Sequence, residues 1–178
     1  MSGIAVRVDT SSFDKLSQRV GAMQMRVARA IPQGLNKGGE RVRTQLQRAL
    51  KQQTNVKAYS SITSRVRPLM AHEGGLQYQI VVKGGAIPIK EFPVHLTLRG
   101  VDADTWGVEH LFARSFGIKG EGVEGFRARL GSARFPIRKL KGPNLAKELD
   151  RGVVPSVFTF AAREFIPPAL LRQLASAL

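Results

Sequence analysis

Apolar residues return at three- and four-residue steps near the start of the chain: Phe13, Leu16, Val20, Met23 and Val27. That spacing lays one stripe along a helix, with Arg19, Arg26 and Arg29 mostly off it. Residues 9–12 supply turn and capping chemistry, so the helix is expected to begin at Ser12 or Phe13. Pro32 lacks the donor that a helix interior needs and is expected to kink or break the run. The stripe resumes at Leu35 and continues through Val42, Leu46, Ala49 and Leu50. Gly38 and Gly39 weaken this second stretch. A flexible joint is the preferred reading there over close packing against a neighbour. Thr54 or Asn55 caps a third short helix over 56–64, and Arg67-Pro68 ends it.

The period then changes from helical to alternating. Ile4, Val6 and Val8 predict a short strand ahead of the first helix. Leu76, Tyr78, Ile80 and Val82 alternate with Gln77, Gln79, Val81 and Lys83, the clearest half-buried strand in the chain. Gly84-Gly85 turns it into a second strand over 87–92, which Pro88 pushes toward a sheet edge. A further strand is expected over 93–99. Asp102, Asp104 and Glu109 read as an acidic surface loop. Residues 112–118 and 126–130 form a hairpin joined by a Gly-rich, charged connection.

Phe135-Pro136-Ile137-Arg138-Lys139-Leu140-Lys141-Gly142-Pro143 is a basic strand bracketed by two prolines. Gly142 supplies its closing turn, and a helix follows from Leu145. Two apolar stretches in the C-terminal helical region are assigned to core packing. They are Val157, Phe158, Phe160, Ala161 and Phe165, then Leu170, Leu171, Leu174 and Leu178. Pro155 and Pro167-Pro168 punctuate that region. The expected fold class is α+β, with N-terminal basic helices packed on a mostly antiparallel sheet and helices at the C-terminus. One domain over 1–178 divides into a helical part at 12–66, a β-rich part at 75–141 and a helical part at 144–178.

Charge changes the picture more than composition does. The 178 residues carry 28 Lys and Arg against 13 Asp and Glu, a net charge of +15, which predicts polyanionic or acidic partners. Glu40 is the one acid between Lys15 and His72. Cysteine is absent, which excludes disulfides and thiolate chemistry. No signal core opens the chain, and no apolar run reaches the ~18 residues that a membrane span needs. A soluble protein made in the cytoplasm, with no membrane partner, is expected.

Catalytic constellations are missing from the pattern. His72, His95 and His110 have no nucleophile or carboxylate arrangement beside them in sequence. Lys83-Gly84-Gly85 lacks the spacing and the Lys-Ser/Thr ending of a phosphate loop. Asp102, Asp104, Glu109 and His110 match no metal-ligand spacing, and calcium loops use a denser oxygen series. The expectation is a chain that is not an enzyme, with no catalytic residues, no metal and no cofactor.

Three passages resemble the phage minor tail protein Z family, the tail-completion proteins. They are the basic helix at 35–44, the step through Thr54-Asn55-Val56 to Ser64-Arg65-Val66-Arg67, and the Pro-Ile-Arg-Lys-Leu-Lys-Gly-Pro run at 136–143. Together they cover about residues 20–150. The resemblance implies a structural virion protein that acts late in tail assembly, at the head–tail junction. It implies a homo-oligomeric ring through which DNA passes, set among neighbouring tail and neck proteins. Such a ring needs two different complementary patches on each subunit. Non-specific phosphate attraction suffices for a DNA conduit. Arg41, Arg43, Arg48 and Lys51 are the first candidates for a DNA- or partner-facing surface, and Arg138, Lys139 and Lys141 the second. Ile137, Leu140, Leu171 and Leu174 are candidate subunit contacts. The alternative is a basic nucleic-acid-binding module unrelated to virions, although no aromatic RNA-binding sheet motif or zinc finger is present.

Overall fold

The computed structural model describes residues 11–118 and 125–177. The strand expected at 4–8, the connection at 119–124 and Leu178 lie outside them. The fold is mixed α+β: a long N-terminal helix, small antiparallel sheets and a C-terminal helix.

Helix α1 runs unbroken over Ser11–Thr54, 44 residues and roughly 66 Å at the standard rise. Pro32 therefore does not end it, contrary to expectation. Its missing donor leaves the carbonyl of Ala28 without a helical partner, and Ala28 is exposed, so water is at hand. Pro32 itself is buried. Gly38 is likewise no joint. A β-carbon at Gly34 would stand 2.9 Å from Leu170 Cα, and one at Gly38 would stand 2.9 Å from Ile166 Cα. Both glycines sit where the backbone of helix α4, Val154–Ala177, comes close. The two pairs, Gly34 with Leu170 and Gly38 with Ile166, also show that the helices run antiparallel.

Helix α4 continues through Pro167 and Pro168, which were expected to punctuate it. The carbonyls deprived of donors belong to Arg163 and Glu164, both exposed. The core assignment of its apolar residues holds for Ala161 alone in full. Val157 and Phe165 are half-buried, while Phe158 and Phe160 are exposed.

Asn55 ends α1 rather than starting the next helix. It adopts φ 58°, and its amide donates to the Lys51 carbonyl (2.9 Å), a left-handed cap that asparagine tolerates. Helix α2 covers only Tyr59–Thr63, after Ala58, which offers no side-chain cap. The chain enters strand β1, Val66–Leu69, which includes Pro68 and was not anticipated.

The strands form four small antiparallel sheets. Strand β1 pairs with β2, Gln79–Val82, in register Val66 to Val82. In β2, Ile80 and Val82 turn inward and Gln79 and Val81 outward, as the alternation requires. Strand β3, Ala86–Pro88, is shorter than expected and passes into a 3-10 turn, Ile89–Glu91. Strands β4 (Val94–Thr97), β5 (Gly100–Thr105) and β6 (Val108–Ala113) make one sheet in that order. The acidic stretch is thus no loop. Val101, Ala103 and Thr105 face the core from the central strand, and Asp102 and Asp104 alternate with them. Trp106 and Gly107, with φ 58° and 71°, make the tight turn between β5 and β6.

Strands β7 (Ser115–Ile118) and β8 (Gly125–Arg129) form a hairpin that starts later than the expected 112–118, since Phe112 and Ala113 belong to β6, and β9, Ile137–Lys139, extends it. Strand β10, Lys141–Asn144, pairs with β3 and leads into helix α3, Leu145–Glu148. Gly142 lies within β10 rather than at a turn, making room for the Phe92 ring (2.7 Å from its would-be β-carbon). Asn144 caps α3 by accepting from the Ala146 amide at 3.1 Å. The core joins Leu46 and Leu50 of α1, Ile62, Ile87, Phe92, Val101, Leu145 and Val154.

Candidate functional site

The four basic residues singled out on α1 do not act alike. Arg41 and Arg48, seven positions apart, share one exposed stripe, and half-buried Lys51 follows Arg48 along it. Arg48 and Lys51 line a shallow surface hollow with Thr44, Asn55 and Tyr59. Arg43 is not a free cation. Its Nε donates to Glu40 Oε2 at 3.0 Å, and Tyr78 Oη donates to Glu40 Oε1 at 2.8 Å. One carboxylate thus ties α1 to the segment leading into β2. Burial, and then the hydrogen bond and charge of Glu40, push the Tyr78 phenol well above its ordinary range, while Arg43 pulls it the other way.

This cluster borders a mostly apolar cleft of about 340 Å³ between α1, β2 and α4. Val42, Leu46, Ile80, Val154 and Phe158 line it beside Tyr78. Its polar lining is the Tyr78 hydroxyl, bonded to Glu40, the Thr159 hydroxyl, which donates to the Pro155 carbonyl, and Asp150, and no hydrogen bond joins either hydroxyl to Asp150.

Arg138 and Lys139 are exposed neighbours on β9, so they point to opposite faces of their sheet, and Lys141 is exposed on β10. Of the proposed subunit contacts, Leu140 is 5% exposed and belongs to the chain's own core. Ile137 and Leu174 are half-buried, and Leu171 is exposed.

The hairpin β5–β6 orders the acids that were expected in a surface loop. At its turn, Asp104 stands directly opposite Glu109, a like-charge cross-strand pair. Asp104 Oδ2 accepts from Asn55 Nδ2 at 2.7 Å. Exposed Trp106 sits at the turn, with its ring edge-on to His110 at 5.7 Å. At the other end, Arg99, Arg114 and Arg129 line a polar cleft of about 440 Å³ with Thr97, Ser115 and Ser132. Arg114 holds φ 57°, uncommon for a non-glycine residue. The Arg129 guanidinium lies 5.5 Å from the Phe116 ring centroid, a cation–π contact.

No family model, curated protein or solved structure matches the chain.

His72 bridges to Gly75 in a surface turn, His95 lies on β4 and His110 on β6. Among the described residues no three His, Asp or Glu side chains gather as a metal-binding group. No helix there is long and apolar enough to cross a membrane. The three arginines of the cleft are separated by fifteen residues each in the chain. Their local signal was weak: each stands beside a turn or strand end, and only the strand pairing brings them together.

Proposed function

We propose that this chain is a structural virion protein of a tailed phage, completing the tail at the head–tail junction as one subunit of a ring around the DNA path. The observation that carries the reading is the outer surface. Phe160, Leu171 and Leu98 stand in water at 69%, 67% and 109% exposure, beside a strongly basic charge balance. Large apolar side chains kept on a cationic surface suit a subunit whose neighbours cover them. The resemblance carried by residues 35–44, 54–67 and 136–143 supplies the virion context. Arg41, Arg48 and Lys51 supply sequence-independent attraction for phosphates. Arg138, Lys139 and Lys141 meet neighbouring tail or neck proteins.

The test is electron microscopy of particles from a phage lacking the gene, with the protein added back as control. Normal heads and tails that fail to join, or that join without infectivity, are expected. Complete infectious particles would overturn the reading. They would promote a basic nucleic-acid-binding module instead, which the exposed stripe of Arg41 and Arg48 also suits. Titration with duplex DNA separates the two: weak binding that vanishes as salt rises belongs to a conduit, and tight, sequence-selective binding to the module.

A further inference from the structure

The two ends of the β5–β6 hairpin carry opposite charge. Six residue pairs separate them in register, from Gly100 with Ala113 to Thr105 with Val108. At about 3.3 Å per residue, the acidic turn and the arginine cleft stand roughly 15 Å apart along the strands.

Neither end is neutralised by another described residue. The ion pairs among the described residues are Arg29 with Glu73, Arg43 with Glu40 and Arg65 with Glu91. Glu109, Asp104 and Asp102 take part in none of them, although the chain has more than two cations for each acid. Facing carboxylates across a ladder destabilise a sheet unless a cation comes between or beside them. Asp104 Oδ2 accepts from Asn55 Nδ2, while its Oδ1 is buried without a hydrogen-bond partner, and no cation pairs with either carboxylate among the described residues. The cleft at the other end mirrors this. Among the described residues Arg99, Arg114 and Arg129 form no ion pair, and no acid lines the space between them.

Both ends also expose an apolar residue. Trp106 and Val108 are 45% and 57% exposed at the acidic turn, and Leu98 stands fully exposed at the arginine end. Tryptophan and arginine are the residues that dominate protein interfaces, and an arginine stacks well on an indole face.

We infer that the acidic turn of one copy, Glu109 with Asp104 and Trp106, inserts into the Arg99–Arg114–Arg129 cleft of the next copy. The guanidiniums take the oxygens of exposed Glu109 in charge-assisted hydrogen bonds, and the Asp104 charge behind it adds to the attraction. Because the two patches differ, the contact is head-to-tail and each copy keeps one free end for another neighbour. This inference rests on the assembly reading, since it supplies the two complementary patches that a ring requires.

The test uses the full chain and two exposed positions, Arg99→Glu and Glu109→Arg, with circular dichroism confirming an unchanged fold. Self-association is followed by analytical ultracentrifugation at about 0.15 M salt, where long-range repulsion between +15 chains is screened beyond roughly 8 Å. Each variant alone should associate about tenfold more weakly than wild type. An equimolar mixture of the two should recover association, because each mixed contact again joins opposite charges. A wild-type chain that stays monomeric at its highest soluble concentration overturns the contact, as does a mixture no better than its parts. Loss of duplex-DNA affinity in Arg99→Glu with self-association unchanged also overturns it, and gives the cleft to phosphate. If the variants change nothing while gene deletion leaves heads and tails unjoined, the contact falls and the assembly role stands. If the mixture recovers association while deletion gives infectious particles, the contact stands and the virion role falls.

Discussion

Gly38 lies against the backbone of Ile166: a β-carbon there would stand 2.9 Å from Ile166 Cα and 3.1 Å from the Phe165 carbonyl oxygen. Those are main-chain atoms of a helix, so they cannot swing aside as a side chain would. The glycine sets how near α1 and α4 approach. Gly38→Ala should therefore destabilise the fold by about 1–3 kcal/mol, even though alanine is the better helix former. Gly21 is the control, since nothing lies within 4 Å of its would-be β-carbon. Gly21→Ala should stabilise by about 0.5–1 kcal/mol. Urea unfolding of both variants checks the pair, and a stabilised Gly38→Ala would refute the seam.

The Tyr78 phenol gives stability a dependence on alkaline pH. Its folded pKa is raised, by burial first and then by Glu40, so the folded state holds the proton more tightly than the unfolded chain. The stabilisation is complete below the unfolded phenol value of about 10 and is lost as pH rises above it. Tyr78→Phe should cost about 1 kcal/mol at neutral pH and remove that alkaline slope. Thermal melts of both proteins from pH 7 to pH 11 measure it.

Phosphate attraction is assigned to Arg41 and Arg48, not to Arg43, which Glu40 already holds. Arg41→Glu with Arg48→Glu should weaken duplex-DNA binding uniformly across sequences. The slope of log affinity against log salt should fall by about two. Arg43→Gln should leave that slope unchanged while loosening Glu40. A slope that drops for Arg43→Gln instead would reverse the assignment.

Leu140 and Leu171 were both candidate subunit contacts, and their surroundings separate them. Leu140 is 5% exposed within the core, so Leu140→Ala should cost about 2–5 kcal/mol. Leu171 is 67% exposed on α4. Leu171→Asp should change stability by no more than about 0.5 kcal/mol and yet reduce incorporation into particles. Equal incorporation of Leu171→Asp and wild type would remove that face from the assembly surface.

The elements that follow a local period were legible without coordinates. The stripe from Leu35 to Leu50, the alternation of Ile80 and Val82, the pairing of β7 with β8 and the helix start at Asn144 arise from residues near one another in the chain, whereas the basic run at 135–143, expected as one strand, divides into β9 and β10 of different sheets. Their spacing alone decides which side turns to a core. The strand β5 was hidden because Asp102 and Asp104, poor strand formers, occupy its outward positions, while its inward ones include small Ala103. Proline's usual veto on a helix interior failed at Pro32, Pro167 and Pro168. Packing between two long helices outweighs a few lost backbone bonds whose carbonyls lie where water reaches them.

The sequence by itself determined the α+β class, the basic balance and the amphipathic face of α1, because each depends on composition or on neighbours in the chain. Only the tertiary structure decided what charges and glycines do. Arg43 and Tyr78 converge on Glu40, and Tyr78 is 38 residues from it. Gly38 meets Ile166 from across two helices, and Arg99 and Arg114 in turns share one cleft with Arg129 on β8. Short-range interactions such as hydrogen bonds, ion pairs and close contacts act over a few ångströms. Which residues come that close is settled by chain pairing at long sequence separation, which local spacing does not encode.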